Sequence, residues 1–206
     1  MEKMLLVGLL AGLATTVQAQ QVRLGLKAGI GLSTVTNFDV TGRVLLPGAT
    51  AGLMADLPLG ERLTLHPELL FAQKGRRDTG SGPGAYQYEQ TLRSSYLDLP
   101  VLLRLKAGNW FFEAGPQLGY LLRLTETETR SSSTIAATTI VTDRTAGSQR
   151  IELGYIVGVS YQLPHNLELN LRYNGGLLGL NKENGGTLQP HNAVLQLQLG
   201  YWFGSR

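Results

Sequence analysis

The chain has 206 residues, 43% of them hydrophobic and 16% charged, with a formal net charge of +3, 26 glycines and no cysteine. The absence of cysteine excludes disulfides and thiolate metal sites, and the small charge excess, without a basic tract, gives nucleic-acid binding no support. Beyond Gln20 no apolar run is long enough for a membrane-spanning helix, so any crossing of a bilayer has to be made by strands.

Residues 1–20 read MEKMLLVGLLAGLATTVQAQ. Lys3 supplies a positive start, Met4 opens an apolar run, and Val17-Gln18-Ala19 gives a small-x-small ending, which together are the parts of a secretory signal peptide. The expected division is a signal peptide over 1–19 and one mature domain over 20–206.

After this leader the hydrophobic period is two. The first strand, 22–32, sets Val22, Leu24, Leu26, Ala28, Ile30 and Leu32 against Arg23, Gly25, Lys27, Gly29 and Gly31. A polar loop over 33–43 leads to a weaker second strand, 49–57, whose start is blurred by Pro47 and Gly48. The third strand, 63–73, turns Leu63, Leu65, Pro67, Leu69 and Phe71 one way and Thr64, His66, Glu68, Leu70 and Ala72 the other. Residues 74–91 read as a long polar loop. The fourth and fifth strands form a hairpin over 96–124. Its first arm sets Leu97, Leu99, Val101, Leu103 and Leu105 against Asp98, Pro100, Leu102, Arg104 and Lys106. Its second arm sets Trp110, Phe112, Ala114, Pro116, Leu118, Tyr120, Leu122 and Leu124 against Phe111, Glu113, Gly115, Gln117, Gly119, Leu121 and Arg123. A Ser/Thr-rich excursion over 125–149 follows, in which Glu126 and Glu128 are expected to be solvated and 134–142 has the composition of an exposed β ribbon. The sixth, seventh and eighth strands occupy 150–161, 167–175 and about 191–203, separated by a short turn at 163–166 and a glycine-rich loop at 178–190.

Each arm of the central hairpin reaches the roughly 9–11 residues that a tilted strand needs to cross a bilayer. Connections are long after the odd-numbered strands and short after the even-numbered ones. That alternation predicts an all-β, eight-stranded antiparallel up-and-down transmembrane β-barrel with short periplasmic turns and long extracellular loops. The first and last strands then meet and remove the open edges that lipid would not tolerate. On this register the lumen collects Arg23, Lys27, Asp56, Glu68, Asp98, Arg104, Glu113, Glu152, Glu168 and Arg172, with Arg123, Lys106 and Arg150 towards the rims. Eight strands leave an interior that side chains fill, so these charges are expected to form a packed plug. Trp110, Phe112, Tyr120, Tyr155, Tyr161, Tyr173, Tyr201 and Phe203 are expected at the interfacial girdles.

Several of these residues also carry a likeness. Gly25-x-Lys27-x-Gly29, Pro67-Glu68-Leu69-Leu70 followed by Lys74-Gly75, Tyr96-Leu97-Asp98-Leu99-Pro100 and Glu113-Ala114-Gly115-Pro116 resemble the outer-membrane β-barrel domain proteins of the Bacteroidetes porin-family or PorT-type group. Leu171-Arg172-Tyr173 and the closing aromatic strand extend the likeness over nearly all of the mature chain. The resemblance implies an eight-stranded outer-membrane barrel, usually without an assigned molecular activity.

No catalytic, cofactor-binding or metal-binding residue is expected. His66 is placed inward beside Glu68, His165 in a short turn and His191 at the outer rim, and no nucleophile, base and orienting group converge. Asp98, Glu113 and Glu68 are acidic enough to gather a cation, but Arg104 and Lys27 are nearer-to-hand partners. The expected function is an integral outer-membrane barrel of structural, scaffolding or surface-interaction role, without enzymatic activity and without a cofactor. Its expected partners are outer-membrane lipids, with protein or glycan contacts through loops bearing Arg76, Arg77, Tyr86 and Tyr88, no nucleic acid, and a monomeric state. The alternatives are a narrow porin-like diffusion channel and a soluble lipocalin-like binding barrel.

Overall fold

The computed structural model describes residues 22–36, 43–82, 86–132, 137–177 and 191–204. The expected signal peptide and the glycine-rich loop at 178–190 lie outside them. The strands are β1 (Arg23–Thr36), β2 (Arg43–Val44), β3 (Leu46–Pro58), β4 (Leu63–Gly82), β5 (Tyr86–Ala107), β6 (Trp110–Ser131), β7 (Thr138–Asp143), β8 (Ile151–Gln162), β9 (Leu167–Gly176) and β10 (His191–Trp202). Eight of them close a ring in which every pair is antiparallel, in the order β1-β3-β4-β5-β6-β8-β9-β10 and back to β1. The short β2 adds to β4, and β7 adds to β6 above the ring.

Alternation decides what each face can touch. Outward leucines, valines and isoleucines stay exposed on every barrel strand, Ile30 at 67% and Leu103 at 50%, with no second layer over them. Leaving one such side chain in water forgoes about 1 kcal/mol or more. Summed around eight strands, that exceeds the about 5–15 kcal/mol by which a domain is stable. A soluble carrier therefore does not fit, and hydrocarbon is the medium that this surface matches.

Aromatic residues mark the limits of that surface. Trp110 and Tyr161 stack edge-on at 4.7 Å, and Tyr201 meets Phe203 at 5.7 Å, beside the short turns. Tyr155 and Tyr173 pair at 6.2 Å towards the other end, and Tyr120 lies beyond them. From Trp110 to Tyr120 along β6 is about 33 Å of strand, or about 25 Å once tilted, the height of an outer-membrane apolar band.

The short turns are local chemistry. Gly108, at φ 64, takes the first central place of the two-residue β5–β6 turn, where glycine alone is unstrained. His165 and Asn166 both adopt φ 61, the left-handed pair that a type I′ hairpin requires.

The structure corrects the expected loops. Residues 74–91 are largely strand: β4 runs to Gly82 and β5 starts at Tyr86, paired throughout. Their polar, glycine-containing sequence resembles a loop because both faces have left the lipid and need no apolar alternation. The excursion after Leu124 is likewise a continuation of β6 to Ser131, answered by β7 over part of the ribbon expected there. β3 begins earlier than expected, at Leu46, because β1 pairs with it from there, Ser33 opposite Leu46 and Leu32 opposite Pro47; its ladder with β4 starts only at Thr50, so Pro47 stands where β4 asks for no N–H and proline is tolerated.

Candidate functional site: the lumen and the extracellular sheet

The inward faces build two charged layers. Arg104, fully buried on β5, reaches Asp56 at 3.2 Å, Glu113 at 3.4 Å and Glu168 at 2.7 Å, and its guanidinium lies 4.4 Å from the Phe111 ring centre. His66 sits between Asp56, 2.7 Å from Nδ1, and Glu68, 2.9 Å from Nε2. Glu68 also pairs with Lys27 and with Arg172, the latter at 2.6 Å. Asn170 and Ser160 donate to Glu113 at 2.6 and 3.2 Å, and the Trp202 indole donates to Glu168 at 3.1 Å. Gly158 leaves room for this layer, since a Cβ there would come within 2.7 Å of Arg172 Cβ. Nearer the extracellular end, Lys74 joins Asp98 at 3.0 Å and Glu152 at 2.7 Å, lies over the Tyr96 ring at 4.7 Å, and shares Glu152 with Asn192.

Nine of the ten charges assigned inward from the sequence are buried in these layers. The tenth, Arg23, is half-buried and covers Trp202 at 4.9 Å. Asp98 is separated from Glu113 and Glu68, each being held by a different cation, and among the described residues no group of three His, Asp or Glu side chains is placed to hold a metal ion. His66 is fully buried. His165 occupies its turn, and His191 opens β10 at the mouth.

Several placements differ from the sequence reading. Lys74 falls within an expected loop but is buried in the upper layer. The inward parity of His66, Glu68, Leu70 and Ala72, carried one step further, points to it. Arg123, expected towards the lumen, faces outward with its side chain 68% exposed and 3.6 Å from Asp143. The reason is a bulge: Leu121 is opposite Tyr96 and Arg123 opposite Ser95, so Leu122 is an extra residue that reverses the parity of β6, and Leu124, expected on the lipid face, comes opposite the buried Ser94 instead.

Above the bulge, β4, β5, β6 and β7 form a sheet that stands clear of the apolar band. Its side-chain pairs, within and between strands, are polar. Arg76 pairs with Asp78 at 3.1 Å, Arg77 with Glu89 at 3.3 Å, and the Thr129 and Thr139 hydroxyls meet at 3.2 Å. Glu126, expected to be solvated, accepts from Gln90 and from Arg144, the latter at 2.5 Å. Partial burial works to raise the Glu126 pKa, but these two donors outweigh it and hold the carboxyl below its ordinary value. Asp143 is likewise held low, by the Thr145 side chain and by the Thr145 backbone N–H at 2.8 Å.

None of the curated proteins matches the chain. Among solved structures, Ail, the attachment invasion locus protein of Yersinia pestis, is 14% identical at a TM-score of 0.45, over 89% of this chain and 100% of that one. A major outer membrane protein from Thermus thermophilus is 18% identical at a TM-score of 0.44, over 89% and 100%. Neisserial surface protein A is 12% identical at a TM-score of 0.40, over 87% and 96%. The family model for the outer membrane protein beta-barrel domain matches residues 18–181, most of the chain. With its closed ring of eight strands and its lipid-facing belt, this chain belongs to the outer membrane protein β-barrel domain family and resides in the bacterial outer membrane.

Proposed function

We propose that the protein is a non-conducting, non-catalytic barrel whose task is to present its extracellular sheet to partners. The observation that carries this reading is the contrast between the two ends of β4, β5 and β6: within the membrane their inward side chains fill the lumen with paired charges, and beyond it they continue as hydrogen-bonded strands. A channel needs the first region to be open, and a loop that only closes a barrel has no need of the second. The absence of catalysis is part of the proposal and is supported by His66, both of whose ring nitrogens are engaged by carboxylates deep in the lumen. Membership of the porin-family or PorT-type subgroup belongs to the same proposal. Its support is that the motif residues Lys27, Glu68, Lys74, Asp98 and Glu113 all lie in the lumen network.

Planar-bilayer recording of the refolded protein tests the lumen. The expected result is no stepwise conductance above the lipid background. Reproducible steps, altered in size by Arg104→Gln or Glu113→Gln, would establish the diffusion-channel reading instead.

A further inference from the structure

We propose that the outer edge of β7 is a docking site for an extended segment of a partner polypeptide, which adds to the extracellular sheet as its next strand. This deepens the surface-presentation reading above and rests on it. β7 pairs with β6 on one side and, among the described residues, with no strand on the other. All six of its residues, Thr-Thr-Ile-Val-Thr-Asp, are exposed, and Ile140 and Val141 are 53% and 65% exposed, on opposite faces. Natural edges facing water are normally blunted by very short length, by charged side chains and lysine above all, by proline, by a bulge or by a covering element; β7, six residues long, contains no lysine or proline, carries its single charge, Asp143, at its end, where Arg123 meets it, and pairs with β6 in unbroken register.

The direction of its backbone groups follows from the ladder. Arg144 N–H donates to the Leu124 carbonyl at 2.9 Å. Hydrogen-bonded pairs alternate with non-bonded ones in an antiparallel ladder, so Ile140 and Thr142 point their N–H and C=O groups at β6. Thr139, Val141 and Asp143 point theirs away from it. The side-by-side hydroxyls of Thr129 and Thr139 fit this phase, since non-bonded pairs bring side chains closest.

This edge selects its occupant. It offers alternating donors and acceptors at the spacing of a peptide backbone, flanked by one apolar β-branched side chain per face, so an extended polypeptide with apolar residues opposite Ile140 and Val141 matches it. A second copy in the same membrane does not. Antiparallel pairing of two β7 edges needs a two-fold axis perpendicular to the sheet, which would point the partner barrel away from the shared membrane. A two-fold axis along the membrane normal instead sets side chains at equal height on opposite faces, out of register with a continuous pleat.

The test uses the full chain refolded in lipid nanodiscs and an end-blocked peptide of alternating valine and threonine with terminal lysines. Amide exchange followed by NMR should show Thr139, Val141 and Asp143 exchanging rapidly alone and slowing by at least about tenfold at saturating peptide, with Ile140 and Thr142 unchanged. Val141→Pro removes an outward N–H without touching the β6 ladder and should weaken binding by about tenfold or more, and Val141→Lys should weaken it as well. A peptide with proline at its centre should not bind. The proposal is overturned if the three edge amides are already protected without peptide, if the peptide fails to bind, or if both variants bind it as well as the parent does. Conductance of the same preparations is read separately, so an open lumen and a closed edge are distinguishable failures.

Discussion

Arg104 is the side chain on which most of the lower lumen layer depends, because among the described residues it is the one cation that meets Asp56, Glu113 and Glu168 together. In a buried interior, removing one member of such a cluster leaves its partners charged and unpaired, at a cost of about 3–5 kcal/mol. Arg104→Met is therefore expected to lower unfolding stability by about that amount, read from urea titration of the folded barrel. The volume change is small, so packing loss alone would cost less than about 1.5 kcal/mol. A cost that small would show that the three carboxylates do not rely on this guanidinium. Substituting an exposed arginine such as Arg93 is expected to change stability by less than about 0.5 kcal/mol.

At the scale of the element, the membrane strands and the extracellular strands obey different rules, and this is also the boundary of what the sequence discloses. Within the bilayer, hydrocarbon on one side and charge on the other impose a strict period of two, so the lumen charges from Lys27 to Arg172 can be placed from the sequence alone. Above it, both faces of β4 and β5 meet water or polar neighbours. No alternation remains to be seen in 74–91, and Lys74 is hidden with the strand that carries it. Arg123 escapes for another reason: the bulge at Leu122 has no glycine or proline to announce it. Registers are set by pairing across strands, and a single chain's pattern does not display its partner.

The β6–β7 ribbon has an acid-sensitive fastening. Glu126 and Asp143 both titrate below the ordinary carboxylate value, against burial for Glu126 through Gln90 and Arg144, and for Asp143 through Thr145. A depressed folded pKa contributes stability that is present above the unfolded value, about 4, and is lost as the pH falls through the lower folded value. Exchange protection of the Ile140 and Thr142 amides is therefore expected to hold from neutral pH to about 5 and to decline below about 4, once corrected for intrinsic exchange. Protection that stays flat down to about pH 2 would detach the ribbon's order from these two carboxylates.

For the whole molecule, the exposed belt and the buried charge make one statement about solvent: the barrel is turned inside out relative to a water-soluble domain. Its apolar surface lies outside and its polar core within. Such a molecule is held in its membrane by the full area of that surface, so alkaline carbonate or high salt is expected to leave it in the pelleted membranes, and detergent to release it. Recovery in the soluble fraction after salt or alkali alone would contradict the integral barrel. Ring closure by β1 and β10, from Gly25 opposite Trp202 to Thr36 opposite His191, contributes to the same durability by leaving no backbone edge in hydrocarbon.

Leu122 also governs how this chain tolerates gain or loss of residues. Below it, an insertion or deletion of one residue would exchange lipid-facing and lumen-facing side chains along the remainder of the strand. Beyond it and past Lys74, the hairpin arms are free of that constraint and can lengthen or shorten in matched pairs while the ring stays unchanged. The extra residue at this point absorbs a single-residue change that would otherwise travel down into the bilayer. It separates a portion of the protein whose length the membrane dictates from one whose length is open to whatever the cell surface meets.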